Sequence, residues 1–335
     1  MPQDYFPSRH RGVFFTVMAV LMLAPIMALA MFHLSALRED ASGATLKIRG
    51  GQLSAFAESA ELDISRFMAI SSRNALIALV KYEEDNNATV ANASCILEAL
   101  AYYGNATNSS CSGTTLVANI SLPTPNSYLL YWVNRTLQWG ARFGFNASIE
   151  IQNHSFNQSG GFNASYSLVL LANATEKTGL MNVSRRKAIA ITVPITGLDD
   201  PIYLSSTQGL IRRSINDTAN YSGAQNLAAF IAGKYYAPSA SGPSFFDRLE
   251  GSLVLSGKYG NDTGIETFAN VPQLEANGIP AKNQSALDYH YFNASLAAGL
   301  GCNVQELSCA DYWWFKIDGA TAAKYGVTQN CTKCG

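Results

Sequence analysis

The sequence predicts an α+β protein in which an N-terminal transmembrane helix and an amphipathic helix precede a β-rich, antiparallel, glycosylated extracellular head. Three observations support this prediction. Residues 13–37 contain no Asp, Glu, Lys or Arg. Residues 53–82 place apolar side chains at helical spacing. From about residue 86, short β-branched and aromatic runs are interspersed with N-x-Ser/Thr patterns, called sequons below.

The chain divides accordingly into five predicted segments. They are a cytoplasmic basic leader (1–12), a transmembrane helix (13–37), a linker with an amphipathic helix (38–85), a sequon-rich β domain (86–196) and a C-terminal α+β region with cysteines (197–335).

The apolar run over residues 13–37 is long enough for a bilayer. As a helix it would measure about 37 Å, whereas a hydrocarbon core is about 30 Å thick. Its positive flank, Arg9 and Arg11, lies on the N-terminal side, which predicts a cytoplasmic N terminus and an extracellular head. The expected location is therefore the cell membrane, with a single pass and the lipid bilayer as a partner. The segment could remain as an uncleaved anchor, or signal peptidase could cleave it after Ala30.

A third fate for this segment follows from a resemblance. Arg9-His10-Arg11-Gly12, followed directly by Val13-Phe14-Phe15-Thr16-Val17, resembles the class III signal of archaeal type IV pilin-like proteins. In that family a dedicated peptidase cuts after a small residue preceded by a basic one, and the hydrophobic helix stays on the mature protein. The resemblance implies that Gly12 ends the leader and that Val13 is the new N terminus. Val17 stands where many pilins have an acidic residue.

Residues 41–51 are expected to interrupt the helix, because Gly43, Gly50 and Gly51 each cost up to about 1 kcal/mol within one. The helical pattern resumes over residues 53–82 without Gly or Pro. Its apolar stripe is predicted to pack on the head or on a neighbouring copy. The stripe consists of Phe56, Ala60, Ile64, Phe67, Ser71, Ala75, Ala78 and Tyr82.

The head is predicted to be rich in antiparallel strands. Strand-like runs occupy residues 113–122, 145–153, 162–175 and 188–196, and residues 197–203 form a turn and a boundary. Beyond it, residues 225–236 are helix-like, and residues 248–255 and 313–317 are strand-like. Polar and apolar residues alternate from Phe145 to Gln152, as in a strand with one exposed face.

Eighteen of the 25 asparagines lie in sequons, and no sequon has Pro at its middle position. Because N-glycans are bulky and are added outside the cytoplasm, this pattern predicts an exposed head that carries N-linked glycans. The acceptors are Asn87, Asn92, Asn105, Asn108, Asn119, Asn134, Asn146, Asn153, Asn157, Asn163, Asn173, Asn182, Asn216, Asn220, Asn261, Asn283, Asn293 and Asn330.

The six cysteines are Cys95, Cys111, Cys302, Cys309, Cys331 and Cys334. An even number in an oxidising compartment predicts up to three disulfides. Cys95 and Cys111 would close a short loop, and the other four allow three pairings. The C-x-x-C spacing of Cys331 and Cys334 leaves a redox pair or half a zinc site as alternatives.

Four segments of the later half are similar to segments of uncharacterised archaeal cell-surface proteins, which implies an archaeal envelope origin. These segments are Gly197-Leu198-Asp199-Asp200-Pro201, Phe246-Asp247-Arg248-Leu249-Glu250-Gly251, Gly264-Ile265-Glu266-Thr267-Phe268 and Ser285-Ala286-Leu287-Asp288-Tyr289.

Motifs of catalysis and of cofactor or metal binding are lacking in the sequence. It has no nucleophile elbow, zincin helix, phosphate-binding loop or dinucleotide fingerprint. A net charge of −1 offers no basic surface to nucleic acid. We therefore predict no catalytic residue, cofactor or metal. The predicted function is a structural or adhesive cell-surface glycoprotein, potentially a pilin-like subunit, whose partners are copies of itself or other envelope proteins. The alternatives are a surface enzyme, such as a glycan hydrolase, and a ligand-binding module, each in the C-terminal half.

Overall fold

The computed structural model describes residues 10–113, 115–177, 179–282, 284–293 and 301–334, and along the first helix it describes the side chains of residues 23, 25–33 and 47–86. The helices are α1 (His10–Asn86), α2 (Ala93–Tyr103), α3 (Leu129–Arg142), α4 (Pro201–Ser206), α5 (Ala224–Gly233), α6 (Phe245–Leu249), α7 (Val271–Ala276), α8 (Asp288–Phe292), α9 (Cys309–Tyr312) and α10 (Gly319–Tyr325). The strands are β1 (Asn105–Ala106), β2 (Ile120–Ser121), β3 (Phe145–Gly160), β4 (Asn163–Glu176), β5 (Asn182–Pro194), β6 (Ala237–Ser244), β7 (Gly264–Glu266), β8 (Cys302–Val304), β9 (Lys316–Ile317) and β10 (Gln329–Asn330).

Helix α1 has 77 residues and is uninterrupted, so it is about 115 Å long. The predicted break over residues 41–51 is wrong, because the helix continues through Gly43, Gly50 and Gly51. A glycine costs only about 1 kcal/mol in a helix, and extending an existing helix is easier than nucleating a new one. Gly50 also permits close packing, since a Cβ there would lie 3.1 Å from Sδ of Met181.

The predicted transmembrane helix over residues 13–37 is contradicted by the structure. Among the described residues, no helix combines the length and the apolar character that crossing a membrane requires. The apolar run is instead the first part of α1, which continues through Arg38, Glu39 and Asp40. The single-pass location in the cell membrane, with a cytoplasmic N terminus and an extracellular head, depended on that helix and is corrected with it.

The second half of α1 packs against the head, and the helix predicted over residues 53–82 is confirmed. Six of the eight predicted stripe residues are buried, namely Ala60, Ile64, Ser71, Ala75, Ala78 and Tyr82. Phe56 and Phe67 are half-buried. The guanidinium of Arg73 donates to the carbonyls of Pro194 (2.6 Å) and Thr196 (3.0 Å), which joins α1 to the end of β5.

The packing partner of α1 is an antiparallel sheet with the strand order β3-β4-β5. The three strands lie where residues 145–153, 162–175 and 188–196 predict them, and β3 and β5 extend further. Ala164, Tyr166, Leu168 and Leu170 of β4 are buried, which gives the alternation expected of a sheet with one packed face. The fourth predicted strand, 113–122, contains only the two residues of β2, after the left-handed Gly113 turns the chain.

The C-terminal part consists of short helices and two small sheets, with the orders β6-β7 and β10-β8-β9. The predicted helix at 225–236 corresponds to α5, and the strand at 313–317 corresponds to β9. The strand predicted over residues 248–255 is wrong. Ser244 and Asp247 form a reciprocal capping box that starts α6, and Phe245 and Leu249 then bury one side of that helix.

Candidate functional site

The β3-β4-β5 sheet has one packed face and one face that carries glycan acceptors. Its inner face lies against α1, where Tyr166 and Leu168 are buried. Five acceptors alternate with these residues and are exposed on the outer face, namely Asn146, Asn157, Asn163, Asn173 and Asn182. Glycans on these asparagines would therefore point away from α1.

Seventeen of the eighteen acceptors lie within the described residues, and none of these is buried. Asn92, Asn293 and Asn330 are half-buried and the other fourteen are exposed, while Asn283 lies outside the described residues. Exposure is the condition for carrying a glycan. Glycan attachment itself remains a prediction.

An apolar groove lies between α1, α3 and the start of β3, and it has a volume of about 650 Å³. Its lining consists of Gln52, Ala55, Phe56, Ser59, Ala60, Asp63, Thr136, Trp139, Phe143 and Phe145. Nε1 of Trp132 donates to Oδ2 of Asp63 (2.7 Å), which fixes α3 against α1. The close approach of the two helices requires Gly140, because a Cβ there would lie 3.0 Å from Cζ of Phe56.

Two aromatic side chains, one in α3 and one directly after it, lie at the edge of this groove. Trp139 is 49% exposed and Phe143 is 65% exposed. The guanidinium of Arg135 lies 5.3 Å from the centre of the Trp139 ring. Exposed aromatic rings at the edge of an apolar concavity are typical of protein interfaces.

No acceptor side chain lines the groove. Thr136 of the lining is the third residue of the Asn134 sequon, but Asn134 itself is exposed and two positions away, and residues two apart on a helix do not share a face. The first acceptor of the chain, Asn87, comes directly after α1 ends. The acceptor side chains therefore leave the lining of the α1–α3 groove bare.

The described part of α1 before residue 34 exposes large apolar side chains on every side of the helix. The apolar segment consists of Leu23, Ile26, Met27, Leu29, Met31 and Phe32, whose exposure lies between 54% and 74%. A helix that is apolar all round is normally covered by other groups. Within one chain these side chains remain at the surface.

A cluster of charged groups is completely buried within residues 197–335 of the head. Nη1 of Arg248 donates to Oδ2 of Asp200 (2.6 Å) and of Asp288 (2.7 Å), and all three side chains have 0% exposure. The hydroxyl of Tyr236 donates to Asp200 (2.8 Å), and Nη2 of Arg248 donates to the carbonyl of Ile265. Burial raises the pKa of Asp200, whereas the charge of Arg248 opposes this rise.

A second buried arginine extends this cluster. Arg213 donates to the carbonyl of Phe268 (2.6 Å) and to Oγ1 of Thr267 (2.6 Å). The backbone N–H of Thr267 in turn donates to Asp288 (3.3 Å). The segments 197–201, 246–251, 264–268 and 285–289 thus meet here, since they contribute Asp200, Arg248, Thr267 and Asp288.

Glu83 of α1 is buried close to this cluster, although the run of Glu83, Glu84 and Asp85 predicts a solvated helix end. Its two carboxyl oxygens have no hydrogen-bond partner among the described residues, and its side chain is 3% exposed. Burial, and then the charge of Asp200, raises its pKa well above the usual range. The helical stripe could have identified this residue, because Glu83 lies four positions after the buried Leu79.

The buried cluster joins four distant segments of the head, and its carboxyl groups are not exposed to a substrate. A glycan hydrolase would need carboxyl groups that reach a bound sugar, and Asp200 and Asp288 have no exposed surface. The turn predicted at Asp199 and Asp200 is solvated only in part. Asp200 is buried and caps α4, since its carboxylate accepts from the backbone N–H of Ile202 (2.9 Å).

The cysteines form three disulfides, as predicted. Cys95 pairs with Cys111, Cys302 with Cys331 and Cys309 with Cys334. Cys331 and Cys334 are therefore not joined to each other, and both thiols of the C-x-x-C pair are used in structural bridges.

The other candidate residues that the structure describes do not come together in one place. Gly12 and Val13 lie in the first turns of α1, and their side chains are outside the described residues. His154 stacks on Tyr102 with ring centres 4.8 Å apart. In the aromatic cluster of residues 312–315, Phe315 is fully buried and Trp313 is 50% exposed. The described residues contain no group of His, Cys, Asp and Glu that could hold a metal ion.

Comparison with known proteins gives no family. No protein-family model, no curated protein and no solved structure matches this chain.

Proposed function

We propose that this chain is a structural subunit of an N-glycosylated assembly built from copies of itself in the manner of a pilin. The observation that carries the proposal is the apolar segment of α1, which is exposed all round and continues into a folded head. Burying such side chains stabilises an association by about 25 cal/mol per Å² of apolar surface. The resemblance of residues 9–17 to pilin-like signals supports the same function.

The head has the properties of a glycosylated, disulfide-bonded subunit. Three disulfides and surface acceptors fit an oxidising environment in which glycans are attached. The acceptors lie on the outer sheet face and around the head, so glycans would keep that surface hydrated. Association would then be confined to the surface that lacks acceptors, which includes α1.

The test compares two substitutions at equally exposed apolar positions. The full chain is produced in a host that attaches N-glycans, and its assembly is measured by sedimentation velocity and electron microscopy. Met27 and Val254 are each 54% exposed, and they lie in the apolar segment and in the C-terminal part of the head. Met27→Glu is expected to abolish assembly, whereas Val254→Glu is expected to leave it unchanged. A wild-type chain that remains monomeric, or equal behaviour of both variants, would contradict the proposal.

A further inference from the structure

The groove between α1 and α3 has the length of a short helix, and the same chain supplies one. Along α1 the groove runs from Gln52 to Asp63, which is about 16 Å of helix. The apolar segment runs from Leu23 to Phe32, which is about 14 Å. Both surfaces are rich in apolar groups, and neither contains an acceptor asparagine.

We infer that the groove binds the apolar segment of a second copy of this chain. This inference rests on the proposed function and names the surface through which the copies associate. An amphipathic or apolar helix laid in an apolar groove is a common mode of protein recognition. Here the floor of the groove is α1 itself, with Ala55 and Ser59, and Trp139 and Phe143 form its other wall.

The polar groups at the ends of the two elements favour a parallel arrangement, because an imidazole N–H can donate to a carboxylate. His33, the residue that follows the apolar segment, is exposed. The one charged residue in the groove lining, Asp63, lies at the C-terminal end of the groove along α1. A parallel segment would place His33 beside Asp63 and Leu23 beside Gln52. An antiparallel segment would place Leu23 beside the carboxylate instead.

The arrangement is heterologous, because the groove of one copy binds a different element of the next copy. Such contacts form closed rings when the rotation between copies closes, and open filaments when it does not. Each copy would present its own apolar segment to a further groove. A chain of copies therefore follows from one type of contact.

The first test uses two tryptophans of matched exposure. Trp139 lies in the groove and is 49% exposed, whereas Trp313 lies outside it and is 50% exposed. Trp139→Glu is expected to raise the concentration required for assembly by at least about tenfold, which is the effect of losing a moderate hot-spot residue. Trp313→Glu is expected to leave that concentration unchanged. Ser59→Arg, in the floor of the groove, is expected to raise that concentration by a similar factor.

The second test determines the orientation by disulfide cross-linking in mixed assemblies. Copies with Gln52→Cys are expected to cross-link to copies with Leu23→Cys and not to copies with His33→Cys. Intact native disulfides are verified by mass spectrometry in each variant. The groove contact would be overturned, while the proposed function stands, by the following result. The wild type assembles, Trp139→Glu and Ser59→Arg assemble equally well, and Gln52→Cys gives no cross-link. Cross-links from His33→Cys alone would overturn the parallel arrangement. A wild type that never assembles would overturn both proposals.

Discussion

Replacing Arg248 by Leu should destabilise the head strongly, because the substitution removes the cation from a completely buried cluster. Asp200 and Asp288 would each lose a charge-assisted hydrogen bond of 2.6–2.7 Å, and the carbonyl of Ile265 would lose its donor. Breaking a buried ion pair by removing one partner costs about 3–5 kcal/mol. A chain of 335 residues has an unfolding entropy of roughly 0.7 kcal/mol/K, so each kcal/mol lowers the Tm by about 1.4 °C and the decrease is roughly 4–7 °C.

The pH dependence gives this prediction a second readout. Without the opposing charge of Arg248, burial and then the charge of Asp288 would raise the folded-state pKa of Asp200 further above the unfolded value of about 3.9. A raised carboxyl pKa favours the folded state below the unfolded pKa, and this contribution is lost as the pH increases towards the folded pKa. The variant should therefore approach wild type near pH 4 and differ most at pH 7.

The assay is guanidinium denaturation followed by circular dichroism at pH 4 and pH 7, with the disulfides intact. The control is Arg212→Leu, because Arg212 pairs with Glu84 at the surface, where its side chain is 59% exposed. An exposed pair contributes at most about 1 kcal/mol. If Arg248→Leu destabilises the protein no more than Arg212→Leu at pH 7, the buried cluster does not hold the head together.

Three further outcomes follow from the structure. Burial raises the pKa of Glu83, so the stability that its neutral form provides is lost as the pH rises above the ordinary value of about 4.5. In urea denaturation, the free energy of unfolding of Glu83→Gln should therefore decline less between pH 5 and 8 than that of wild type. Removing the Cys95–Cys111 bridge, whose cysteines are 16 residues apart, should lower the free energy of unfolding by about 3 kcal/mol in the same assay, and no loss would contradict this. Asn173→Gln should remove the mass of one glycan from the intact protein in mass spectrometry, whereas Asn226→Gln, outside any sequon, should remove none.

Local periodicity predicted the elements that are long and regular. The stripe from Ala60 to Tyr82 and the alternation in β4 follow from the geometry of a single helix or strand, so the sequence suffices to locate them. The break at Gly43 to Gly51 was wrong, because the cost of three glycines is small compared with the cooperativity of a long helix. The strand expected from Arg248 onwards was also wrong, because the capping box at Ser244 starts a helix that includes Arg248.

The surfaces that matter for function depend on contacts between distant segments. Arg248 and Asp288 are 40 residues apart, and Arg248 and Asp200 are 48 apart, so no local pattern shows that they meet. The groove is likewise formed by α1 and by residues of α3 that are about 80 positions later. The cysteine count predicted three bridges, but only the folded chain brings Cys302 to Cys331 and Cys309 to Cys334.

Hydroxyl-radical footprinting of the glycosylated, assembled protein tests the central claim most directly, because it reports which side chains become covered when copies associate. Met27 and Met31 are 54% and 69% exposed in the single chain, and Trp139 is 49% exposed. Self-association through the apolar segment and the groove predicts that all three lose labelling on assembly, whereas Trp313 and Val254 keep theirs. Unchanged labelling of Met27 and Met31 in the assembled protein would contradict the claim that this chain associates through α1.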